Sequence, residues 1–147
     1  MQVTRGTVSL MFAAMQKLGA KPTKKRFAYG LVKNKTIIEA ELKAIQEAEK
    51  DLIPYEEERV ELCKKHSALV NGGEPKFENG RYQGLIGNSA FIDDLKLLNT
   101  KYEKELNESR IFLSELINID FYPIALEDFP DEITPGDMDI LISLVKE

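Results

Sequence analysis

The stretch KPTKKRFAYGLVKNKTII, residues 21–38, opens the longest helical pattern in the chain. Thr23 suits the N-cap position, because its hydroxyl can accept a hydrogen bond from a free amide of the first turn. Beyond Thr23, apolar residues recur mostly at seven-residue steps and form one apolar seam on a charged rod, which predicts a long helix over about 23–68. The seam residues are Phe27, Leu31, Ile38, Ile45 and Leu52, with Ala48, Tyr55, Leu62 and Leu69 on an accompanying track.

Three residues weaken this long pattern. Asn34 and Glu41 put polar side chains on the apolar track, so the seam is imperfect. Pro54 lacks a backbone donor and crowds the preceding turn, which predicts a kink or a break there. An imperfect seam needs more cover than one partner helix gives, so the pattern favours association with a further helix or subunit.

A second helical pattern runs over about 89–116, with Asn88 or Ser89 as its N-cap. Its stripe at three- and four-residue steps consists of Phe91, Leu95, Leu98, Tyr102, Leu106, Leu113 and Leu116. Two single-stripe helices joined by a compact loop cover each other best as an antiparallel hairpin with coiled-coil-like packing. In the loop, 70–88, Asn79 and Gly80 predict a type I′ turn that places Phe77 opposite Tyr82 in a small β-hairpin.

The two ends of the chain supply shorter elements. MQVT, residues 1–4, reads as a strand, and Thr4 or Thr7 caps a helix over about 5–18. INIDFYPI reads as a strand over about 117–124 that pairs with MQVT, although Pro123 weakens it. Thr134 followed by Pro135 predicts a helix over about 134–146. The predicted fold is therefore mainly α with a minor β part, in one domain covering 1–147.

Composition narrows the class of protein. With 147 residues, 43% of them apolar, and a single cysteine, Cys63, the chain can form a core but no internal disulfide. VSLMFAAM behind Arg5 imitates the core of a signal peptide, but its spacing suits an amphipathic helix, so we expect no secretion. No apolar run reaches the roughly 18 residues of a membrane span. We therefore expect a soluble protein of a reducing cytoplasm.

The sequence contains no catalytic or cofactor signature. Cys63 and His66 lie three residues apart on the long helix, but a structural zinc site needs about four ligands and no second cysteine or histidine exists. The acidic EDFPDE segment lacks the alternating ligand spacing of a calcium loop. We expect no enzyme activity, no metal and no cofactor, and we expect Cys63→Ser and His66→Ala to be functionally silent.

Charge is segregated along a chain whose formal net charge is -5. Residues 1–38 contain eight basic residues and no acidic one, whereas residues 117–147 contain eight acidic residues against Lys146. The candidate partner- or anion-binding patch comprises Lys21, Lys24, Lys25, Arg26, Lys33 and Lys35. These cations, interleaved with Phe27 and Tyr29, could bind phosphates. Alternatively, they neutralise the acidic C-terminal segment, within one chain or between subunits. Nucleic acid is the less favoured partner, since the acids elsewhere repel a polyanion.

Several short motifs carry a resemblance that spans nearly the whole chain. They are TRGT, FAYGLVKNK and EAELKAIQEA, followed by ENGRY, FIDDLKLL, IDFYPI and ITPGDMDIL. In this order they resemble small uncharacterised helical proteins encoded by tailed bacteriophages and prophages. The resemblance implies a viral origin, with a place in the bacterial cytoplasm or in the virion, and it carries over no catalytic or binding residue.

Two functional hypotheses follow. The first is a non-enzymatic protein that acts through protein contacts, as a homo-oligomer or as an accessory factor in assembly with a phage or host protein. The alternative is an inhibitor or sequestering protein that binds a host protein or a phosphate-bearing ligand through the basic N-terminal region. Neither hypothesis places the protein in a membrane.

Overall fold

The computed structural model describes residues 1–146 and is mainly helical with small strand pairs, so the predicted fold class is confirmed. The helices are α1 (Arg5–Gly19), α2 (Lys25–Glu49), α3 (Ile53–His66), α4 (Ser89–Lys101), α5 (Glu103–Ser114) and α6 (Pro135–Leu141). The strands are β1 (Gln2–Thr4), β2 (Phe77–Glu78), β3 (Arg81–Tyr82), β4 (Leu116–Asn118), β5 (Ile124–Ala125) and β6 (Val145–Lys146). Within residues 1–146, no helix has the length and apolar character needed to cross a membrane.

The chain, predicted as one domain over 1–147, divides into two compact units. Unit 1 consists of Met1–Ala48 and Arg110–Glu147, and unit 2 consists of Glu49–Ser109. Unit 2 is therefore one continuous insertion between the two segments of unit 1. That the whole chain folds as one domain stays a prediction.

Unit 1 is closed by the strand pair that the sequence predicted. β1 pairs antiparallel with β4, in the register Gln2 to Asn118, Val3 to Ile117 and Thr4 to Leu116. Thr4 then caps α1, since its hydroxyl oxygen accepts from the Thr7 amide at 3.1 Å. The start of the chain is thus joined to its last third before the first helix begins.

The core of unit 1 contains the first half of the predicted seam. Phe27, Leu31 and Ile38 on α2 are buried together with side chains of α1 and of the C-terminal segments. The ring of Phe27 lies 5.0 Å from that of Phe129, centroid to centroid. The burial of these positions confirms the seam prediction. They share one face of α2 because their seven-residue spacing is close to a whole number of helical turns.

The C-terminal part differs from the sequence prediction in two ways. The strand predicted over 117–124 is two short strands, since Pro123 cannot donate to a ladder, and the second, β5, pairs parallel with β6. The helix predicted over 134–146 has its Thr134 cap, confirmed at 3.2 Å to the Asp137 amide, but ends at Leu141. A 3₁₀ turn follows, whose three-residue period puts both Leu141 and Leu144 in the core.

The predicted 23–68 helix is interrupted, and its two halves belong to different units. α2 ends at Glu49, a 3₁₀ turn covers Lys50–Leu52, and α3 begins at Ile53 with Pro54 in its first turn. The break expected at Pro54 is confirmed, and the first turn of a helix is where proline is best tolerated. The antiparallel hairpin of two long helices is therefore limited to α3 and α4.

Contacts between α3 and α4 run in opposite chain order. The Tyr55 hydroxyl donates to Oδ1 of Asn99 at 2.8 Å, whereas His66 Nε2 lies 2.7 Å from Oδ2 of Asp94. Residues early in α3 thus meet residues late in α4. The antiparallel arrangement within unit 2 agrees with the prediction.

The β-hairpin between these helices is confirmed in detail. Asn79 and Gly80 both have positive φ, 52° and 76°, as a type I′ turn requires. Phe77 pairs with Tyr82, and their rings lie 4.9 Å apart, centroid to centroid. Asn88 caps α4 by accepting from the Phe91 amide at 3.0 Å.

Four predicted boundary features are wrong. The N-cap at Thr23 is not formed, because the Lys24 carbonyl is the first helical acceptor and α2 begins at Lys25. α3 ends at His66, one of the two ends expected, so Leu69 is exposed beyond it and bridges to Pro75 instead of extending the apolar track. The 89–116 helix is interrupted at Tyr102, whose φ of -108° and ψ of 20° are not helical. Leu116 was predicted as the last residue of the helical stripe, but it lies in β4 and is exposed.

Candidate functional site

The six basic residues of the predicted patch do not form one site. Lys21 and Lys24 line a groove of about 640 Å³ whose other side includes Asp131 and Glu132. The Lys24 ammonium also donates to the Glu127 carbonyl. These two lysines therefore face the acidic C-terminal segment of unit 1.

Lys25 and Arg26 line a different groove, of about 560 Å³, in the same unit. Tyr29 on α2 and Tyr122, which precedes β5, form its aromatic part, with ring centroids 5.6 Å apart in an edge-to-face arrangement. Lys146 adds a third cation. Within residues 1–146, no carboxylate lies within ion-pair distance of Lys25 or Arg26.

The remaining two cations lie further along α2. Lys33 Nζ lies 5.5 Å above the Tyr29 ring, a cation–π distance. Lys35 lines a shallow depression of about 370 Å³ beside Thr36 and Glu39. The patch is thus divided over three surfaces, and that any of its members binds a partner or an anion stays a prediction.

Neutralisation between the two ends of the chain occurs at a lysine outside the patch. Lys17 Nζ lies 2.7 Å from Oδ2 of Asp137. Hydrogen bonds from Lys17 and, secondly, from the Thr134 hydroxyl hold the pKa of the Asp137 carboxyl below its ordinary value. The basic start and the acidic end of the sequence are therefore joined through α1 and α6.

Asn34 shapes the groove that Lys25 and Arg26 line. It is fully buried, its Oδ1 accepts from the Tyr122 amide at 2.8 Å, and its Nδ2 donates to the Tyr122 carbonyl at 2.9 Å. One turn earlier, a Cβ on Gly30 would lie 2.6 Å from the side chain of Ile124. The G-x-x-x-N spacing thus seats the segment before and within β5 against α2. Sequence reasoning took Asn34 for an interruption, although an unpaired polar residue on an apolar face is itself a signal of a buried hydrogen bond.

Unit 2 carries a larger surface feature that the sequence did not single out. A groove of about 710 Å³ runs between α3 and α4. Along α3 it is lined by Glu57, Glu58, Glu61, Leu62 and Lys65, and along α4 by Asp94, Leu97, Leu98 and Lys101. Leu97 is 71% exposed although it lies on the groove.

The rim of this groove, which we call the hairpin groove, is held by ion pairs between the two helices. Lys101 Nζ lies 2.7 Å from Oε1 of Glu58, and the Tyr102 hydroxyl donates to the same carboxylate. The hydrogen bond from Lys101, helped by that from Tyr102, lowers the pKa of Glu58. At the other end, hydrogen bonds from His66 and then Lys65 lower the pKa of Asp94. Both carboxylates are thus kept ionised.

The hairpin groove is apolar at its floor because unit 2 has little interior. In residues 49–109, the buried apolar side chains are those of Cys63 and Leu98. Leu97 lies off the stripe that Leu95, Leu98 and Tyr102 define. An unmatched leucine beside a stripe is the one sequence signal that could have indicated a second apolar face.

Cys63 and His66 do not converge on a metal site. Cys63 is buried, with the Arg59 guanidinium 4.0 Å from its Sγ, whereas the His66 ring contacts Asp94 and Phe91. In the part of the chain that the structure describes, no three histidine, cysteine, aspartate or glutamate residues are grouped as metal ligands. The residues around Cys63 and His66 can interact with other molecules through surface contacts and charge.

The fold and these surfaces define the class: a mainly α-helical protein with a minor β part, one unit with a closed core, and one helical hairpin with an exposed apolar groove. The chain matches no protein-family model, no curated protein and no solved structure.

Proposed function

We propose that the protein acts without catalysis, through protein–protein contacts made by the hairpin groove, as an oligomer or an accessory factor in assembly. The exposure of Leu97 on a groove between two helices is the observation that carries this proposal. The resemblance of its motifs to phage-encoded proteins supports an origin in a phage or prophage, with action in the bacterial cytoplasm or in the virion.

The energetics favour a protein partner at this groove. Leucine side chains on a groove floor gain roughly 25 cal/mol for each Å² of apolar surface removed from water. A rim of charged residues around an apolar floor is the usual arrangement of a protein interface, with the apolar centre giving affinity and the rim giving orientation.

Site-specific photocrosslinking tests the proposal in the bacterial cells that carry the gene. A photoreactive phenylalanine analogue at position 97 is compared with the same group at Lys104, which lies on α5 outside the groove. We expect covalent adducts to protein from position 97 and none from position 104. If position 97 gives no protein adduct, or both positions give the same adducts, the groove is not a contact surface.

A second candidate function rests on the groove of Lys25, Arg26 and Lys146. Three cations beside two tyrosines, with Asp128 as the one carboxylate of the lining, suit a phosphate-bearing ligand, because the cations outnumber the carboxylate and the rings can stack on a base or an aromatic group. The cations at the start of α2 also lie at the positive end of the helix dipole, where an anion would relieve their mutual repulsion.

This candidate is tested by titrating the full chain with inorganic phosphate, ATP and a short single-stranded DNA while following the NMR signals of Tyr29 and Tyr122. Binding should be lost when Lys24, Lys25 and Arg26 are all changed to glutamine, with the fold intact. Changing Lys43, Lys96 and Lys104 to glutamine removes the same charge elsewhere and should leave binding unchanged. Equal loss in both triple variants would indicate net charge, and no titration in the unchanged protein would remove this candidate.

A further inference from the structure

The groove of Lys25, Arg26 and Lys146, which we call the tyrosine groove after its two rings, carries positive charge that the chain does not compensate. Its lining contains these three cations and one carboxylate, that of Asp128, which leaves an excess of two positive charges. Within residues 1–146, none of the four groups lies within ion-pair distance of an opposite charge. The lysines of the hairpin groove, by contrast, are already paired within the chain. The tyrosine groove therefore keeps its cations available for an anionic ligand.

Hydrogen bonds and close packing fix the walls of the tyrosine groove. The buried side chain of Asn34 holds the Tyr122 backbone through both of its polar atoms. The close approach of Ile124 to Gly30 seats β5 against α2, and β5 pairs in turn with β6, which ends at Lys146. The groove is thus formed by the fold itself, so a ligand would bind without ordering its walls.

The aromatic wall of the tyrosine groove is open to solvent. Tyr29 is 52% exposed and Tyr122 39%, although their rings contact each other edge to face. Lys33 Nζ lies 5.5 Å from the Tyr29 ring centroid, so a further cation adjoins this wall. Exposed rings beside free cations suit a planar group that carries negative charge, because stacking on a ring and charge attraction then act on one ligand.

Size and charge limit what the tyrosine groove can bind. Its volume of about 560 Å³ lies within the roughly 300–1,000 Å³ that is typical of sites for one small molecule. A phosphate monoester carries a charge of about -1.5 to -2 at pH 7, which matches the excess of two positive charges in the lining. A triphosphate exceeds that positive charge, and its further phosphates would be repelled by Asp128.

Resting on the second candidate function, we infer that the ligand of the tyrosine groove is a nucleoside monophosphate. Lys25 and Arg26 bind its phosphate, to which the guanidinium can donate two parallel hydrogen bonds. Tyr29 and Tyr122 contact its base. Because Lys25 and Tyr29 are four residues apart on α2, the cation and the ring lie on one side of the helix and act on the same ligand. Inorganic phosphate lacks the ring and a nucleoside lacks the charge, so each part alone binds more weakly.

Isothermal titration calorimetry of the full chain at low salt tests this inference with adenosine monophosphate (AMP), adenosine, inorganic phosphate and ATP. We expect AMP to bind at least about tenfold more tightly than adenosine or inorganic phosphate, and at least as tightly as ATP. Attraction by general charge alone would instead make ATP the tightest ligand, and that order overturns the inference. A phosphotyrosine peptide that binds more tightly than AMP would also overturn it, since the groove would then recognise a modified protein.

Two variants separate the ring from the charge. Tyr29→Leu keeps every cation, so it should weaken AMP binding at least about fivefold and leave inorganic phosphate binding unchanged. Arg26→Gln should weaken the binding of both ligands at least about tenfold. The matched controls are Tyr55→Leu, on α3 in unit 2, and Lys43→Gln, which is further along α2 and outside the groove; both should bind AMP as the unchanged chain does. Far-UV circular dichroism verifies that each variant is folded.

The outcomes also separate this inference from the function on which it rests. If phosphate-bearing ligands bind through Arg26 but Tyr29→Leu does not weaken AMP binding, the nucleoside is overturned as the ligand and the second candidate function stands. If no phosphate-bearing ligand binds the unchanged chain, both are overturned.

Discussion

In unit 1 the apolar faces of α1 and α2 pack with strands and turns from the end of the chain, whereas in unit 2 the fully buried apolar side chains of α3 and α4 are Cys63 and Leu98, with Leu62, Phe91 and Leu95 half-buried. Both units contain part of the same sequence pattern, the imperfect apolar seam that runs over α2 and α3. The difference lies in how many elements share the interior. A helix with one apolar stripe is covered by several neighbours in unit 1 and by a single helix in unit 2.

The two units also differ in where they place their polar side chains. Unit 1 tolerates a fully buried Asn34 because both of its polar atoms are bonded to the Tyr122 backbone. Unit 2 keeps its ion pairs, such as that of Asp94 with His66 and Lys65, at the surface, where they orient the helices and add little stability. Unit 1 thus satisfies this polar side chain in its interior, whereas unit 2 places its paired charges at the surface.

The largest effect expected in unit 1 is that of Asn34→Ala. It leaves the partly buried Tyr122 amide and carbonyl without their Asn34 partner, which should cost about 3 kcal/mol of unfolding free energy. Urea unfolding followed by circular dichroism measures the loss, and Asn107→Ala, at an exposed position on α5, should cost less than about 0.5 kcal/mol. A loss below about 1 kcal/mol for Asn34→Ala would mean that other groups satisfy Tyr122.

Matched leucine truncations compare the two interiors directly. Leu31→Ala opens a closed cavity in unit 1 and should lower the free energy of unfolding by about 3 kcal/mol. Leu98→Ala removes a side chain that borders an open groove and should lower it by about 1.5 kcal/mol in a dilute, monomeric sample. The measurement is again urea unfolding, with amide hydrogen exchange to assign the loss to a unit. Equal costs would show that unit 2 is packed as tightly as unit 1.

Gly30→Ala tests the close approach of β5 to α2. The new methyl group would overlap the buried side chain of Ile124, so we expect a loss of about 2 kcal/mol in thermal or urea unfolding. Gly136→Ala is the control, since nothing lies within 4 Å of a Cβ at that position in α6. A neutral Gly30→Ala would mean that the β5 segment can move away from the helix at no cost.

The smallest effect concerns the pH dependence of unit 1. Because the folded state lowers the Asp137 pKa, this carboxylate stabilises the fold at neutral pH, and that stability is lost as pH falls through the lowered pKa. Lys17→Met should raise the Asp137 pKa and flatten the decline of stability between about pH 5 and about pH 2. NMR titration of the Asp137 carboxyl follows the change. Lys25→Met removes an unpaired cation and should leave the titration as it was; a shift in both variants would indicate the general field of the protein.

Most local features could be predicted from the sequence. The caps at Thr4, Asn88 and Thr134 and the turn at Asn79 and Gly80 depend on residues within four positions of one another. The antiparallel pairing of β1 with β4 was also predicted, because the chain offers few other candidate strands. These features need only a side chain, its neighbours and the geometry of one turn.

The candidate sites were predicted less well, and the reason is the same in each case. Lys21 and Arg26 are close in sequence, yet helix geometry and the docking of β5 place them on different grooves. Leu97 belongs to no predicted stripe, because periodicity describes one helix at a time. A site made by two elements depends on which faces meet, and the sequence pattern does not carry that information.

The sequence by itself determined the mainly α fold class, the caps at Thr4, Asn88 and Thr134, the β-hairpin and the segregation of charge, since local backbone preferences and spacing fix these. Only the tertiary structure decided that the seam divides between two units, that Asn34 is a buried partner of Tyr122, and that the α3–α4 pair keeps an open apolar groove. Those outcomes depend on competition among many similar apolar faces for cover, and that competition is resolved by the packing of the whole chain.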